Sequence, residues 1–90
     1  MHRGHLVIRG RVQGVGFRWF AMVRARAAHV AGFVRNLPDG SVEVEAEGAR
    51  EPLVLLVAEL SRGPVHAVVK DVSATWSESS PRYDGFEVAD

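Results

Sequence analysis

The stretch Gly10–Arg18, GRVQGVGFR, leaves a strand-like segment, crosses two glycines and enters a helix-like segment at an arginine. Gly14 and Gly16 permit backbone conformations that bring several amide N–H groups to one concave point. A helix that begins near Phe17 would direct its unpaired N–H groups to the same point, and the Arg18 guanidinium could bind two oxygen atoms of an anion. The stretch therefore predicts a binding site for a phosphate group.

The chain contains a single Asn, Asn36, and a single Gln, Gln13, and both lie beside turns. Asn36 comes directly before the predicted turn Leu37-Pro38-Asp39-Gly40. We interpret Asn36 as the partner of Arg18 at one site.

The spacing of apolar residues predicts the elements on both sides of this stretch. Alternating apolar residues indicate strands, and apolar residues three or four positions apart indicate helices. The predicted strands are His5–Val12, Val30–Asn36, Ser41–Glu47, Ala67–Trp76 and a short last strand, Phe86–Val88. The first predicted helix is Phe17–Ala28, and the second ends at Gly63-Pro64 with an inner stripe of Leu53, Leu56, Val57 and Leu60. A change in the apolar register predicts a β-bulge near Lys70-Asp71.

The order of these elements predicts the fold class. It is the α+β, ferredoxin-like split βαβ sandwich (βαββαβ), an antiparallel sheet with two helices on one face and a short extra C-terminal strand. We expect residues 1–90 to form a single domain and to leave no room for a second catalytic domain. In this arrangement Arg18 and Asn36 can face one small pocket. Many unrelated domains share the fold, so function has to be argued from the loops.

Composition and charge exclude several classes of function. Eleven basic and eleven acidic residues give a formal net charge of zero, which argues against nucleic-acid or membrane affinity. Cys is absent, so there is no disulfide framework, thiolate metal site or cysteine nucleophile. No apolar run is long enough to span a bilayer, and the start of the chain lacks the apolar core of a signal peptide. We therefore expect a cytoplasmic protein.

Each residue of the predicted site also has a structural interpretation. Gly14 and Gly16 would serve a tight turn, Arg18 would be a solvated first-turn residue, and Asn36 would form a side-chain turn. A cation in the first turn opposes the helix dipole, however, and an anion between the two would explain it. The loop is not a Walker motif, because no Lys-Ser/Thr follows, and it is not a dinucleotide fingerprint, because Trp19 replaces the third Gly. The joint pattern favours function.

Other residues that carry functional groups are interpreted as structural. The histidines lack metal-ligand spacing, so no metal site is expected from His2, His5, His29 and His66. Three glutamates on one side of a strand are expected to form a solvated face: Glu43, Glu45 and Glu47. Three aromatic residues are expected to pack around the first helix: Phe17, Trp19 and Phe20.

These motifs together resemble the acylphosphatase family. The likeness lies in Val12–Arg18 (VQGVGFR), Gly32–Asn36 (GFVRN) and Asp39–Val44 (DGSVEV), and it continues through Gly48, Gly63-Pro64 and Phe86–Val88. It covers essentially the whole chain. One position departs from the family pattern, since His29 stands where a Gly usually ends the first helix. A left-handed residue is favoured there as Gly but is tolerated as His.

The resemblance implies hydrolysis of acyl phosphates to a carboxylate and inorganic phosphate, without metal or organic cofactor. The reaction expels a carboxylate whose acid has a pKa of about 4 to 5, so it needs no general acid. Arg18 and Asn36 would be the catalytic residues, Arg18 binding phosphate and Asn36 orienting the attacking water. The predicted phosphate-binding loop consists of Gln13, Gly14, Val15, Gly16, Phe17 and Arg18. The expected partners of a monomer are an acyl phosphate substrate and inorganic phosphate, as product and competitive inhibitor.

Three alternatives stay open at this point. A phosphate- or nucleotide-binding module without turnover would keep the glycine loop but would not need Asn36. An RNA-binding domain of the same topology would carry aromatic and basic residues on its third strand, where this sequence has three glutamates. The third alternative is an acylphosphatase-like module within a larger enzyme.

Overall fold

The strands and helices follow the predicted order. The computed structural model describes residues 1–78 and 80–89. Its elements are β1 (His2–Arg11), α1 (Phe17–Ala27), β2 (Ala31–Asn36), β3 (Val42–Gly48), α2 (Arg50–Arg62), β4 (Val68–Glu78) and β5 (Phe86–Val88). The predicted α+β class and βαββαβ order with a short last strand are confirmed.

The five strands form one sheet in the order β4-β1-β3-β2-β5. The pairs β1–β3, β1–β4 and β2–β3 are antiparallel, as predicted. The short strand β5 is the exception, because it pairs parallel to β2. The connection from β4 arrives at the end of the sheet where β2 begins, so Phe86 pairs with Gly32 and both strands run the same way. Element order alone does not reveal this direction.

Strand β1 begins three residues earlier than the alternation of apolar residues predicts. It pairs on both sides from its first residue, since His2 lies opposite both Gly48 of β3 and Glu78 of β4. Hydrogen bonds to two neighbours stabilise a strand in residues that lack an apolar side chain. Tertiary pairing has extended the element here.

The predicted bulge between β1 and β4 is confirmed. Arg9 pairs with Asp71 but Gly10 pairs with Val69, so Lys70 is an extra residue on β4. An extra residue shifts the alternation of the strand to the other face, which explains the change of apolar register along β4.

Both helices pack on one face of the sheet and enclose the core there. The core residues with almost no exposed surface include Leu6 and Ile8 of β1, Val42 and Val44 of β3, Phe17, Ala21 and Ala25 of α1, and Leu53, Leu56 and Leu60 of α2. These are the residues at strand and helix spacings in the sequence, and their burial removes apolar surface from water.

Helix α1 ends at Ala27, and His29, two residues later, is in the left-handed conformation that the family resemblance implies at this position. The backbone of His29 has φ 56°, and it has the only positive φ among the non-glycine residues that the structure describes. Its N–H group donates a hydrogen bond to the Arg26 carbonyl at 3.1 Å. The chain can therefore turn sharply from α1 into β2.

The other face of the sheet is not the solvated surface that the alternating glutamates predict. Glu47 is only 2% exposed. Its Oε1 accepts a hydrogen bond from Arg3 Nη2 at 2.9 Å. Its Oε2 accepts the backbone N–H groups of Arg82 at 2.7 Å and Tyr83 at 2.9 Å. Residues 80–83, which precede β5, thus lie across this face and cover it. No local pattern in β3 could indicate this.

The two remaining glutamates of β3 belong to the same polar layer. Glu45 accepts a hydrogen bond from the Tyr83 hydroxyl at 2.6 Å. Glu43 lies 2.7 Å from the His5 ring and also accepts a hydrogen bond from Arg35. The three carboxylates therefore hold β1, β2 and the segment before β5 against β3.

Candidate active site

The loop between β1 and α1 has the backbone that its glycines predict. Gly14 has φ 73° and Gly16 has φ 80°, both in the left-handed region. Gly16 is the N-cap residue of α1, and no side chain of the described residues caps this helix end. The first N–H groups of α1 have no acceptor within the helix and are available to an anion at the loop.

An open cavity of about 320 Å³ lies beside this loop. Its lining residues are Val12, Gly14, Gly16, Phe17, Arg18, Trp19, Asn36 and Val88. The structure therefore brings Arg18 and Asn36 together, although they come from separate motifs. Gln13 and Val15, the other two residues of the predicted loop, do not line the cavity.

Arg18 is the second residue of α1 and is half-buried. It is the only charged side chain among the residues lining the cavity that the structure describes. Its planar guanidinium offers paired N–H donors that match the oxygen atoms of a phosphoryl group. The site thus combines one fixed positive charge with the N-terminus of a helix.

Asn36 is the last residue of β2, where the strand meets the cavity. Its Oδ1 atom is buried and accepts no hydrogen bond from any residue that the structure describes. A buried oxygen without a donor costs about 1 to 3 kcal/mol, so such atoms call for an explanation. The Asn36 Oδ1 atom is therefore suited to accept a hydrogen bond from a water molecule or a substrate in the cavity.

The Gln13 side chain joins the glycine loop to the β2–β3 turn. Its Nε2 donates hydrogen bonds to the Leu37 carbonyl at 2.8 Å and to the Ser41 carbonyl at 2.9 Å. Sequence reasoning placed Gln13 in the phosphate loop and did not assign this role to its carboxamide. The one sign of a special role in the sequence was that Gln13 is the single Gln of the chain. By tying the two turns together, Gln13 fixes Asn36 relative to Arg18.

The β2–β3 turn is also held from within. The N–H of Leu37 donates to the Ser41 carbonyl at 2.9 Å. Asp39 Oδ1 accepts hydrogen bonds from the Ser41 hydroxyl and from its N–H, the latter at 3.0 Å. These bonds from Ser41 hold the pKa of the Asp39 carboxyl below its usual value. The carboxylate thus stabilises the turn of residues 37–41, which begins directly after Asn36.

Three apolar residues line the cavity but were not predicted as site residues: Val12, Trp19 and Val88. Trp19 is expected from the sequence to pack around α1, yet it is 67% exposed and lines the cavity. The spacing in the sequence was a signal for this exposure. Trp19 falls outside the helical stripe of the buried residues of α1, which are Phe17, Ala21 and Ala25. Val88 reaches the cavity because β5 pairs with β2, and no local pattern predicts that pairing.

A second open cavity, of about 350 Å³, lies near the start of β1, at the opposite end from the glycine loop. Its lining residues are His2, Arg50, Leu53, Val54 and Trp76. It contains no left-handed glycine loop and no carboxamide, so we do not assign the predicted chemistry to it.

The described part of the chain contains neither a cluster of metal-binding side chains nor a membrane-spanning helix. Within residues 1–78 and 80–89, no three His, Cys, Asp or Glu side chains are grouped so that they could hold a metal ion. Neither α1 nor α2 is long and apolar enough to cross a membrane.

The chain is similar to known protein sequences over nearly its whole length. The family model described as acylphosphatase matches residues 4–88. The acylphosphatase of Salinibacter ruber is 48% identical over 81 residues, which cover 90% of this chain and 85% of that protein. The acylphosphatase of Thermococcus kodakarensis is 48% identical over 86 residues, which cover 96% of this chain and 93% of that protein.

A solved structure of an acylphosphatase matches this chain over the same length. The crystal structure of acylphosphatase from Bacillus subtilis superposes with a TM-score of 0.96 at 37% sequence identity, and the match covers 99% of each chain. The match therefore includes the parallel strand β5 and extends over the whole length of that acylphosphatase.

Proposed function

Because this chain belongs to the acylphosphatase family, we propose that the loop of residues 13–18 and Asn36 form its active site. The activity is hydrolysis of a small-molecule acyl phosphate to a carboxylate and inorganic phosphate. The observation that carries the site assignment is one cavity containing both the Arg18 side chain and a buried Asn36 Oδ1 without a hydrogen-bond donor.

Binding of the phosphoryl group is the first step. The N–H groups of the loop and of the first turn of α1 hold its oxygen atoms, and the Arg18 guanidinium donates two further hydrogen bonds. These donors are held in place before substrate arrives, since the loop is anchored by Gln13. Donors that do not have to reorganise stabilise the charge of the phosphoryl oxygens in the transition state.

Attack by water is the second step. Asn36 Oδ1 accepts a hydrogen bond from the water and orients its oxygen towards phosphorus. An amide does not take up a proton near neutral pH, so Asn36 positions the water without acting as a base. The water oxygen bonds to phosphorus, the bond from phosphorus to the acyl oxygen breaks, and the water proton passes to a phosphoryl oxygen.

The leaving group decides which chemistry the site requires. A carboxylate with an acid pKa of about 4 to 5 departs as an anion without protonation. An alkoxide, by contrast, generally requires a general acid or a metal ion. An arginine, backbone amides and one carboxamide therefore suffice for an acyl phosphate.

The non-catalytic alternative is a module that binds phosphate without turnover. Such a module would need the loop and Arg18 alone. The buried Asn36 Oδ1 argues against it, because a carboxylate-free cavity that only binds an anion has no use for an acceptor oxygen. We also propose that the protein acts as a monomer and that inorganic phosphate inhibits it competitively, since the product retains the group that the loop binds.

The test is an assay of the purified protein with benzoyl phosphate in the presence of a metal chelator. We expect phosphate release at the same rate with and without chelator, and inorganic phosphate should raise KM without changing kcat. Loss of activity on chelation would contradict the proposed mechanism. A Gly16→Val variant is the matched control for background hydrolysis, because a β-branched residue is strongly disfavoured at φ 80° and would distort the loop.

A further inference from the structure

Trp19 is the most exposed of the large apolar residues of α1. It is 67% exposed, and it follows directly after Arg18 in the first turn of the helix. Exposed tryptophan is unusual because an indole ring carries a large apolar surface. The ring adds nothing to the buried core, yet it forms part of the cavity wall.

The cavity is divided between polar and apolar residues. Its polar part consists of the two glycines of the loop, Arg18 and Asn36. Val12 and Phe17 are buried beneath it and have almost no exposed surface. The apolar surface that a ligand can reach belongs to Trp19 and to Val88, which is 38% exposed.

An acyl phosphate also has a polar part and a part that can be apolar. Its phosphoryl group is charged and requires the N–H donors, whereas its acyl group extends away from phosphorus. With the phosphoryl group at the loop, the acyl group has Trp19 and Val88 as its accessible apolar neighbours. A planar aromatic acyl group can stack on an indole, and a two-carbon acyl group offers little surface for such contact.

We infer that Trp19 is a specificity-determining residue and that the protein favours acyl phosphates with an aromatic acyl group over short aliphatic ones. This inference rests on the proposed function, since it takes the phosphoryl group to occupy the loop. The stacking contact forms in the bound substrate and persists in the transition state. It therefore lowers KM for aromatic substrates without raising kcat.

The test compares benzoyl phosphate with acetyl phosphate in the parent protein and in Trp19→Ala. We expect the ratio of kcat/KM for benzoyl phosphate to that for acetyl phosphate to fall about tenfold, mainly through KM. Trp19→Phe should retain most of the ratio, because it keeps an aromatic ring. The matched controls are Trp76→Phe and Val23→Ala, whose residues are exposed but do not line the cavity, and their ratios should equal that of the parent.

Fluorescence gives a readout that does not depend on turnover. The chain has two tryptophans, so Trp76→Phe leaves Trp19 as the only indole. Phenylphosphonate, which cannot be hydrolysed, should change the emission of Trp19 and compete with inorganic phosphate. Inorganic phosphate alone should cause a smaller change, because it has no group that reaches the indole.

The outcomes separate this inference from the proposed function. If Trp19→Ala reduces kcat/KM for both substrates by the same factor, the residue only supports the loop and the inference is wrong. If the ratio is unchanged and phenylphosphonate leaves the emission unchanged, the inference is also wrong. If the parent hydrolyses neither substrate, the proposed function fails, whatever the effect of Trp19.

Discussion

Arg18 and Asn36 reach one cavity from different elements, and their side chains differ in what they can contribute. In the proposed mechanism the guanidinium carries charge and donates hydrogen bonds to bound phosphate before, during and after reaction. The carboxamide oxygen of Asn36 can only accept a hydrogen bond, so it suits the attacking water better than the phosphate. At this scale the two residues should have different kinetic signatures.

Asn36→Ala should reduce kcat about 100-fold or more and leave phosphate affinity nearly unchanged. The reason is that a group that positions the nucleophile stabilises the transition state more than the bound ground state. Steady-state kinetics with benzoyl phosphate and the inhibition constant of phosphate measure the two quantities. Thermal unfolding has to be followed in parallel, to show that the loss of turnover is not a loss of folded protein.

The matched comparison is Arg18→Lys, which keeps the charge but loses the planar pair of donors. Turnover and phosphate affinity should both fall in this variant while the protein stays folded. An Asn36→Ala variant with the parent kcat would favour the binding module. An Arg18→Lys variant that binds phosphate as tightly as the parent would refute the proposed loop.

At the scale of elements, the site depends on two turns that no continuous strand or helix connects. One turn leads from β1 to α1, and the other leads from β2 to β3. Among the described residues, the Gln13 side chain donates the hydrogen bonds that run from the first turn to the second. We therefore expect these two hydrogen bonds to help set the distance between Arg18 and Asn36.

Gln13→Met should lower kcat about tenfold or more while lowering the free energy of unfolding by only about 1 kcal/mol. The cost to stability is small because each carbonyl keeps another donor, Gly40 N–H for Leu37 and Leu37 N–H for Ser41. Methionine fills a similar volume without donating a hydrogen bond. Kinetics and urea denaturation measure the two effects.

The control for this prediction is Arg24→Met. It removes the exposed ion pair between Arg24 and Glu59, which joins the two helices away from the cavity, and should change neither quantity strongly. A Gln13→Met protein with the parent kcat would show that backbone contacts alone position the two turns.

At the scale of the whole molecule, the polar face of the sheet helps to shape the cavity. The chain has to pass from β4, at one edge of the sheet, to β5, at the other edge. Glu47 fixes this connection through the backbone N–H groups of Arg82 and Tyr83. Because β5 follows directly, the buried carboxylate helps to place Val88 beside β2 and hence at the cavity.

The pKa values of these carboxyls predict how stability depends on pH. Burial by itself raises the pKa of Glu47, but hydrogen bonds from the Tyr83 and Arg82 backbone outweigh it and bring the pKa below its ordinary value of 4.5. Burial likewise acts to raise the pKa of Glu43, and the hydrogen bonds from His5 and Arg35 lower it overall. Both groups are thus more acidic in the folded chain than in the unfolded chain.

Stability from these groups should be fully present above the unfolded-state pKa and should fall as the pH falls through the lower folded-state pKa. The unfolded chain takes up protons first, so acid favours unfolding. Glu47→Gln should lower the free energy of unfolding at neutral pH by about 2 kcal/mol, because Arg3 loses its ion pair at 2.9 Å and keeps only the longer one to Glu45, at 3.7 Å. The difference from the parent should shrink below about pH 4.

Urea denaturation from neutral to acidic pH measures this dependence. Glu51→Gln is the matched control, since Glu51 is exposed in the first turn of α2. It should follow the parent curve closely. A Glu47→Gln protein as stable as the parent at neutral pH would mean that this buried pair contributes no net stability.

Much of the fold was predictable because its signals are local. The core stripes of α1 and α2, the alternation in β3 and the bulge near Lys70 all depend on residues close in sequence. The covered glutamate face and the parallel pairing of β5 were not predictable, because both depend on where a distant connection lies. The same division holds at the site, where Gly14 and Gly16 were evident but the contacts of Gln13 were not.

The sequence by itself determined the order of elements, the glycine loop and the two polar residues, since periodicity and backbone preference act over a few residues. Only the tertiary structure decided that Trp19 and Val88 share a cavity with Arg18 and Asn36. It also decided that an acidic strand face becomes a buried polar layer. The physical reason is that burial and pairing are properties of segments far apart in the chain, and they are set when the sheet assembles and the connection to β5 closes over it.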